Sequence, residues 1–215
     1  MHKISDHHLR VKDVKKIVYS DTKIELSASS IEKIVKCRKY LDDKMEGSDK
    51  LFYGINTGFG SLCNIAISNS ETSQLQYNLV VSHACGTGKE ISSEIVKIML
   101  FLKIQSLSFG HSGVALETVE RLIEMYNNDI IPIIYEFGSL GASGDLAPLA
   151  HMSLPLLGLG EVYYQGEKIS GETLLIKMNW KPLRLQSKEG LALLNGTQFM
   201  SSFGTYLLIK AKELV

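Results

Sequence analysis

A chain of 215 residues, 45% hydrophobic and 21% charged, has the composition of a folded globular protein with material for a sizeable core. Twenty-three basic residues balance twenty-three acidic ones, so no net field draws the chain toward nucleic acid or anionic lipid. A disordered tail, a collagen-like repeat and a disulfide-stapled miniprotein are all excluded.

The start, Met1-His2-Lys3-Ile4-Ser5-Asp6, lacks the apolar core of a signal peptide. Cys37, Cys63 and Cys85 are odd in number, 26 and 22 positions apart, and form neither a CxxC pair nor a disulfide framework. A soluble, cytoplasmic protein is expected. Ser29 with Glu32 reads as a capping box, and Ile31, Ile34, Val35, Leu41 and Met45 keep helical spacing until Gly47. Lys50–Ile55 reads as a short extended piece. A second helix is predicted from Ser70 to Ala84, with Leu75, Leu79 and Val80 inward. A third runs from Ser92 to Phe109 and is apolar on several faces, which predicts burial. Its most apolar part, Ile95–Ile104, is interrupted by Lys97 and Lys103 and cannot span a bilayer.

A fourth helix is predicted from Val114 to Asn127, with Leu116, Val119, Leu122, Ile123 and Tyr126 as its stripe. Ile130–Ile134 reads as extended but broken by Pro132. Glu161–Ile169 alternates around Gln165-Gly166 and predicts a small hairpin. Thr197–Val215 reads as a helix whose apolar face, built from Leu207, Leu208, the Lys210 stem and Leu214, has no partner downstream. The expectation is a chain cut from something longer.

Three loops hold most of the small residues: YGINTGFG at Tyr53–Gly60, GSLGASGD at Gly138–Asp145 and NGTQ at Asn195–Gln198. None has the spacing of a phosphate cradle, since no GxxxxGK[ST] occurs and no GxGxxG follows a strand. Ala142-Ser143-Gly144 offers different chemistry. Glycine lets the backbone fold back where other residues clash. The Gly144 nitrogen can then attack the Ala142 carbonyl and close a five-membered ring. Loss of that ring's water, and of the Ser143 hydroxyl as a second water, leaves an exocyclic methylene, a strong electrophile. An isolated Ala-Ser-Gly is usually a plain turn.

The surrounding residues change that weighting. GSLGASGDLAPLAH at Gly138–His151 resembles the signature of the aromatic amino-acid ammonia-lyases, and in particular of their histidine-specific members. YGINTGFG resembles that family's tyrosine loop, NLVVSHACGTG at Asn78–Gly88 its substrate-selectivity helix, and KEGLALLNGTQ at Lys188–Gln198 its asparagine motif. The four segments occur in family order between Leu51 and Gln198.

The resemblance implies that Ala142, Ser143 and Gly144 cyclise into 4-methylideneimidazole-5-one (MIO), with no external cofactor. It implies Tyr53 as general base, although a free phenol titrates near pH 10 and the role asks for help from its neighbours. It implies His83, after Ser82, as a contact to the substrate imidazole and Asn195 as a hydrogen-bonding residue near ring and substrate. Asp145, Gly60 and Gln198 are implied as supporting residues, with a bare helix N-cap as the plain alternative for Asp145. His2, His7, His8 and His111 are unremarkable, and His151 reads as packing. No His, Cys and Asp set has metal-ligand spacing, so no catalytic metal is expected.

The implied fold is mainly α with a few short β-strands. Residues 1–196 would form a domain carrying the ring-forming loop, and residues 197–215 the start of a truncated helical bundle. The implied reaction is deamination of L-histidine to trans-urocanate and ammonia in a homotetramer, with no nucleic acid and no membrane partner. The family is longer, and its later helices supply further pocket residues, including a carboxylate-binding arginine, so the isolated chain is expected to be nearly inactive. The alternatives are a phenylalanine or tyrosine ammonia-lyase or aminomutase, and a non-catalytic fragment that binds partner subunits. A nucleotide-binding module is a remote third.

Overall fold

The run of apolar residues after Ser92 becomes helix α4 (Ser93–Ser108), the axis of the molecule. Ile98, Met99, Leu100, Phe101 and Ile104 are all fully buried, so the helix presents no solvent face over its middle turns. The computed structural model describes residues 1–20, 22–46, 50–58, 64–68, 71–139 and 144–214. Around α4 pack α1 (Val11–Val18), α2 (Ala28–Met45), α5 (Leu116–Asn127) and α9 (Gln198–Leu214). A second group, α3 (Thr72–His83), α6 (Leu146–Ser153) and α8 (Glu189–Leu194), packs together beside them. Helix α7 (Gly171–Met178) covers a 3-10 turn at Leu154–Leu157.

The strands are short and peripheral. β1 (His2–Ile4) and β2 (Ile24–Leu26) pair in parallel across α1, in register His2 with Ile24. β3 (Thr87–Glu90) pairs antiparallel with β5 (Tyr135–Phe137). β4 (Ile131–Pro132), β6 (Glu161–Tyr164) and β7 (Glu167–Ser170) form an antiparallel sheet in that order. The expected hairpin is present, with Gln165 at φ 53° and Gly166 at φ 82° making its two-residue turn. The fold is mainly α with a few short strands, as expected from the helical periodicity.

Several local expectations are corrected. Helix α2 is capped by Ser27, whose side chain accepts from Ser30 N, and not by Ser29. Ser27 wins because its own N–H is fixed on Ile4 O at the end of β2, which sets the chain's entry into the helix. Val35, assigned to the inward stripe, is exposed, and Arg38 takes a buried position instead. The Arg38 guanidinium donates to Gly113 O (2.7 Å) and Ser187 O (2.8 Å), so a charged side chain satisfies two loop carbonyls.

Lys50–Ile55 is not extended. Ile55 N and Asn56 N both donate to Phe52 O, Asn56 Oδ1 accepts from Phe52 N, and Gly54 takes φ 69°. Of Ile130–Ile134 only Ile131–Pro132 is strand, and β4 ends at Pro132 as expected, at the sheet edge where a missing N–H costs little. Gly47, Ser70 and Val215 lie outside the described residues.

The inward face of α2 should respond to truncation where its outward face does not. Ile34→Ala is expected to cost about 2–4 kcal/mol and Val35→Ala no more than about 0.5 kcal/mol, read from urea midpoints.

Candidate active site

The centre of the candidate site is a backbone contact between two loops. Gly144 has φ 113°, and a Cβ there would stand 2.4 Å from Gly196 O, with Gly196 C and N at 3.1 Å. Only glycine fits this conformation and this space. The next residue fastens the same contact, since Asp145 N donates to Gly196 O at 2.8 Å. Ala142, Ser143 and Gly60 lie outside the described residues.

Asp145 is buried, and its carboxylate does not cap α6, the helix it precedes. Oδ2 accepts from Met200 N (3.0 Å) in the first turn of α9, and Oδ1 accepts from Ser139 Oγ (2.9 Å). The plain N-cap reading is therefore corrected in its target. The carboxylate serves another helix, where an anion also meets the positive end of the helix dipole. Gln198 opens α9, and its Oε1 is buried without a donor among the described residues. Asn195 is exposed, as C-cap of α8, and its backbone oxygen accepts from Lys103 Nζ at 3.2 Å.

His83 ends α3 and is half-buried. Its Nδ1 lies 2.8 Å from Leu79 O, which requires Nδ1–H as donor and leaves Nε2 as an acceptor in the neutral ring. Three residues on, Gly86 reaches Gly138. A Cβ on Gly138 would stand 3.0 Å from Gly86 Cα, so the two backbones touch. Gly86 N donates to His151 Nε2 (2.9 Å), and the His151 ring packs edge-on against Tyr135 at 5.1 Å. Burial holds the His151 imidazole below its ordinary pKa, which keeps Nε2 free to accept. His151 thus packs, as expected, and also ties the His83 segment to the Gly138 loop. Tyr53 lies on a turn and is 59% exposed.

Two buried polar residues were missed by the sequence reading. Glu189 is 1% exposed, and its carboxylate accepts from Ala115 N, Thr118 Oγ1 and Gln186 N. Lys103 is 1% exposed and donates to Ala192 O (2.6 Å) as well as Asn195 O. Burial pulls its amine from the ordinary lysine range to about 7. The available signal was a lysine inside a helix apolar on every face, where any charge must find partners. Among the described residues no group of three His, Cys, Asp or Glu side chains is placed to hold a metal, and no helix is long and apolar enough to cross a membrane.

The family profile described as "Aromatic amino acid lyase" matches residues 9–215. The chain belongs to the aromatic amino acid lyase family. Among curated members of that family, the histidine ammonia-lyase of Deinococcus radiodurans is 45% identical over 212 residues, covering 99% of this chain and 40% of that protein. The histidine ammonia-lyase of Caldanaerobacter subterraneus is 44% identical, covering 99% and 42%. Of solved lyase-family structures, histidine ammonia-lyase from Trypanosoma cruzi superposes with TM-score 0.87 at 32% identity, covering all of this chain and 41% of that one. A tyrosine aminomutase from Streptomyces globisporus superposes with TM-score 0.90 at 32% identity, covering 99% and 40%. The chain spans about 40% of the length of these relatives.

Lys103 makes stability depend on pH with a definite sign. The unfolded amine holds its proton to about pH 10.4, whereas the folded one releases it near 7, so the unfolded state binds more protons in between. Relative to Lys103→Met, the protein should gain stability as pH rises from about 7 to about 10, measured by urea unfolding at each pH.

Proposed function

We propose that this chain supplies the ring-forming and substrate-contacting part of a histidine ammonia-lyase, which eliminates ammonia from L-histidine to give trans-urocanate. The observation that carries the reading is the conformation of Gly144, forced to glycine by Gly196 immediately after Ala142-Ser143. Ring closure needs an unhindered backbone nitrogen at this residue in a bend, and Gly144 meets that demand. The described residues thus fit MIO: Gly144, packed on Gly196, and Asp145, anchored to it, would hold the end of the group. When present, that group supplies an electrophilic methylidene carbon beside the substrate amine.

The remaining work falls to the chain's own side chains. His83, with Nδ1–H committed to Leu79 O, turns an acceptor toward the N–H of a substrate imidazole. This choice favours histidine over phenylalanine, whose ring offers no hydrogen-bond donor. Asn195 projects from a carbonyl fixed from below by Lys103 and offers an amide to substrate or ring. Tyr53 takes the proton from the substrate carbon next to the amine-bearing one, as general base. Asp145 keeps the loop seated by holding Ser139 and Met200. The complete enzyme is a homotetramer in this reading, and the chain alone is nearly inactive.

Mass spectrometry of the purified protein tests the reading. A peptide spanning Gly138–His151 should have lost two waters at Ala142-Ser143-Gly144, and Ser143→Ala should never lose both. An unmodified wild-type peptide would overturn the ring-forming assignment for this chain. His83→Leu should weaken L-histidine binding about tenfold while leaving L-phenylalanine unchanged, measured by calorimetry. Equal weakening of both would favour the phenylalanine or tyrosine enzymes instead.

A further inference from the structure

We infer that Lys103 is the positioning residue of the ring-forming segment: its Nζ, bonded to the Ala192 and Asn195 carbonyls, fixes the Asn195–Gly196 peptide against Gly144 and Asp145. The inference rests on the ring-forming function proposed above for Gly144. Helix α8 has only six residues and ends in Asn195 at φ −83°, ψ 121°, without a left-handed glycine to turn back and satisfy its last carbonyls. Those carbonyls face α4, and Lys103 is the side chain that reaches them.

One residue past the fixed carbonyl, Gly196 accepts the Asp145 N–H and occupies the space where a side chain on residue 144 would stand. Two residues after Gly196 the chain enters α9, whose Met200 N–H is held by the Asp145 carboxylate. The segment from Asn195 to Met200 is therefore fastened by hydrogen bonds at three points, two from Asp145 and one from Lys103. The bond from Lys103 ties the start of the segment to the central helix.

The chemistry of the site argues against a purely space-filling lysine. No carboxylate pairs with Lys103 among the described residues, so burying its amine is costly and an apolar residue of similar length would pack more favourably. Both partners are carbonyls of the segment that supports Gly144. Either protonation state serves, because a neutral amine keeps two N–H donors for two carbonyls. Ring closure requires the Gly144 nitrogen and the Ala142 carbonyl in near-attack geometry, where displacement by about 1 Å costs on the order of 10²-fold in rate.

The test compares the purified protein with Lys103→Met and Lys103→Arg by thermal melting, amide hydrogen exchange and the mass of the Gly138–His151 peptide over time. Lys103→Met removes both donors at little net cost in stability, since a buried amine is removed with them. Its Asp145 and Met200 amides should exchange at least about tenfold faster while the rest of α4 is unchanged, and loss of two waters should slow by about 10²-fold. Arginine, more weakly hydrated and able to donate in parallel, should restore both. Unchanged exchange at Asp145, or acceleration spread evenly over the chain with a lowered Tm, would overturn the proposal. A wild type that never loses two waters would sink the ring-forming function, while the exchange data would still decide on Lys103. Should neither variant fold, lysine-15N NMR of the wild type decides: a slowly exchanging Nζ resonance with contacts to Asn195 supports the proposal, and a rapidly exchanging one overturns it.

Discussion

The carbonyl oxygen of Gly196 imposes two constraints at one point. It accepts the N–H of Asp145, and it fills the space that any β-carbon on residue 144 would need. The hydrogen bond fixes where residue 145 begins α6, and the exclusion fixes residue 144 as glycine. Asp145 then turns its carboxylate away from its own helix to the first turn of α9. Two helices and the end of a third are thereby referred to one peptide group, so Gly144 and Asp145 inherit their placement from elements distant in sequence.

The interior polar residues follow a common logic. Lys103, Arg38 and Glu189 are each almost wholly buried, and each gives some of its hydrogen bonds to backbone at a helix end or in a connecting segment. Loops of this kind cannot satisfy their own carbonyls and amides as a helix does, and burying them unsatisfied costs about 1–3 kcal/mol per group. Side chains from rigid helices supply the missing partners. The geometry of the connected segments then rests on these bonds.

What was legible in the sequence was what repeats or what must be small. The helical stripes of α4 and α5 and the Gln165-Gly166 hairpin were visible because a period or a turn dipeptide encodes them locally. The β1–β2 pair was not, because three-residue strands joined across a helix leave no alternation to read. Val35 satisfied the apolar pattern of α2 and still faces solvent, since the neighbouring loops needed a guanidinium and Arg38 took the inward position. At the candidate site, Gly144, Asp145 and Asn195 could be found as motif residues. Their joining through Gly196, and the Lys103 amine beneath it, depend on tertiary contacts between positions 92 residues apart.

The backbone frame and the choice of substrate lie on different links of the argument. Structures of a histidine ammonia-lyase and a tyrosine aminomutase both superpose closely on this chain at 32% identity, with TM-scores of 0.87 and 0.90. Near-equal likeness to relatives named for different substrates means that the frame alone does not discriminate between them. Discrimination has to come from side chains that meet the substrate ring. In the proposed function such a side chain is His83, since a neutral ring whose Nδ1–H is held by Leu79 O offers Nε2 as a directed acceptor. The segment that follows this helix is anchored through Gly86 to His151 and Gly138. A backbone-to-backbone approach thus registers the His83 segment to the Gly138 segment, and because it involves no side chain of residue 83 it places no demand on which residue stands there.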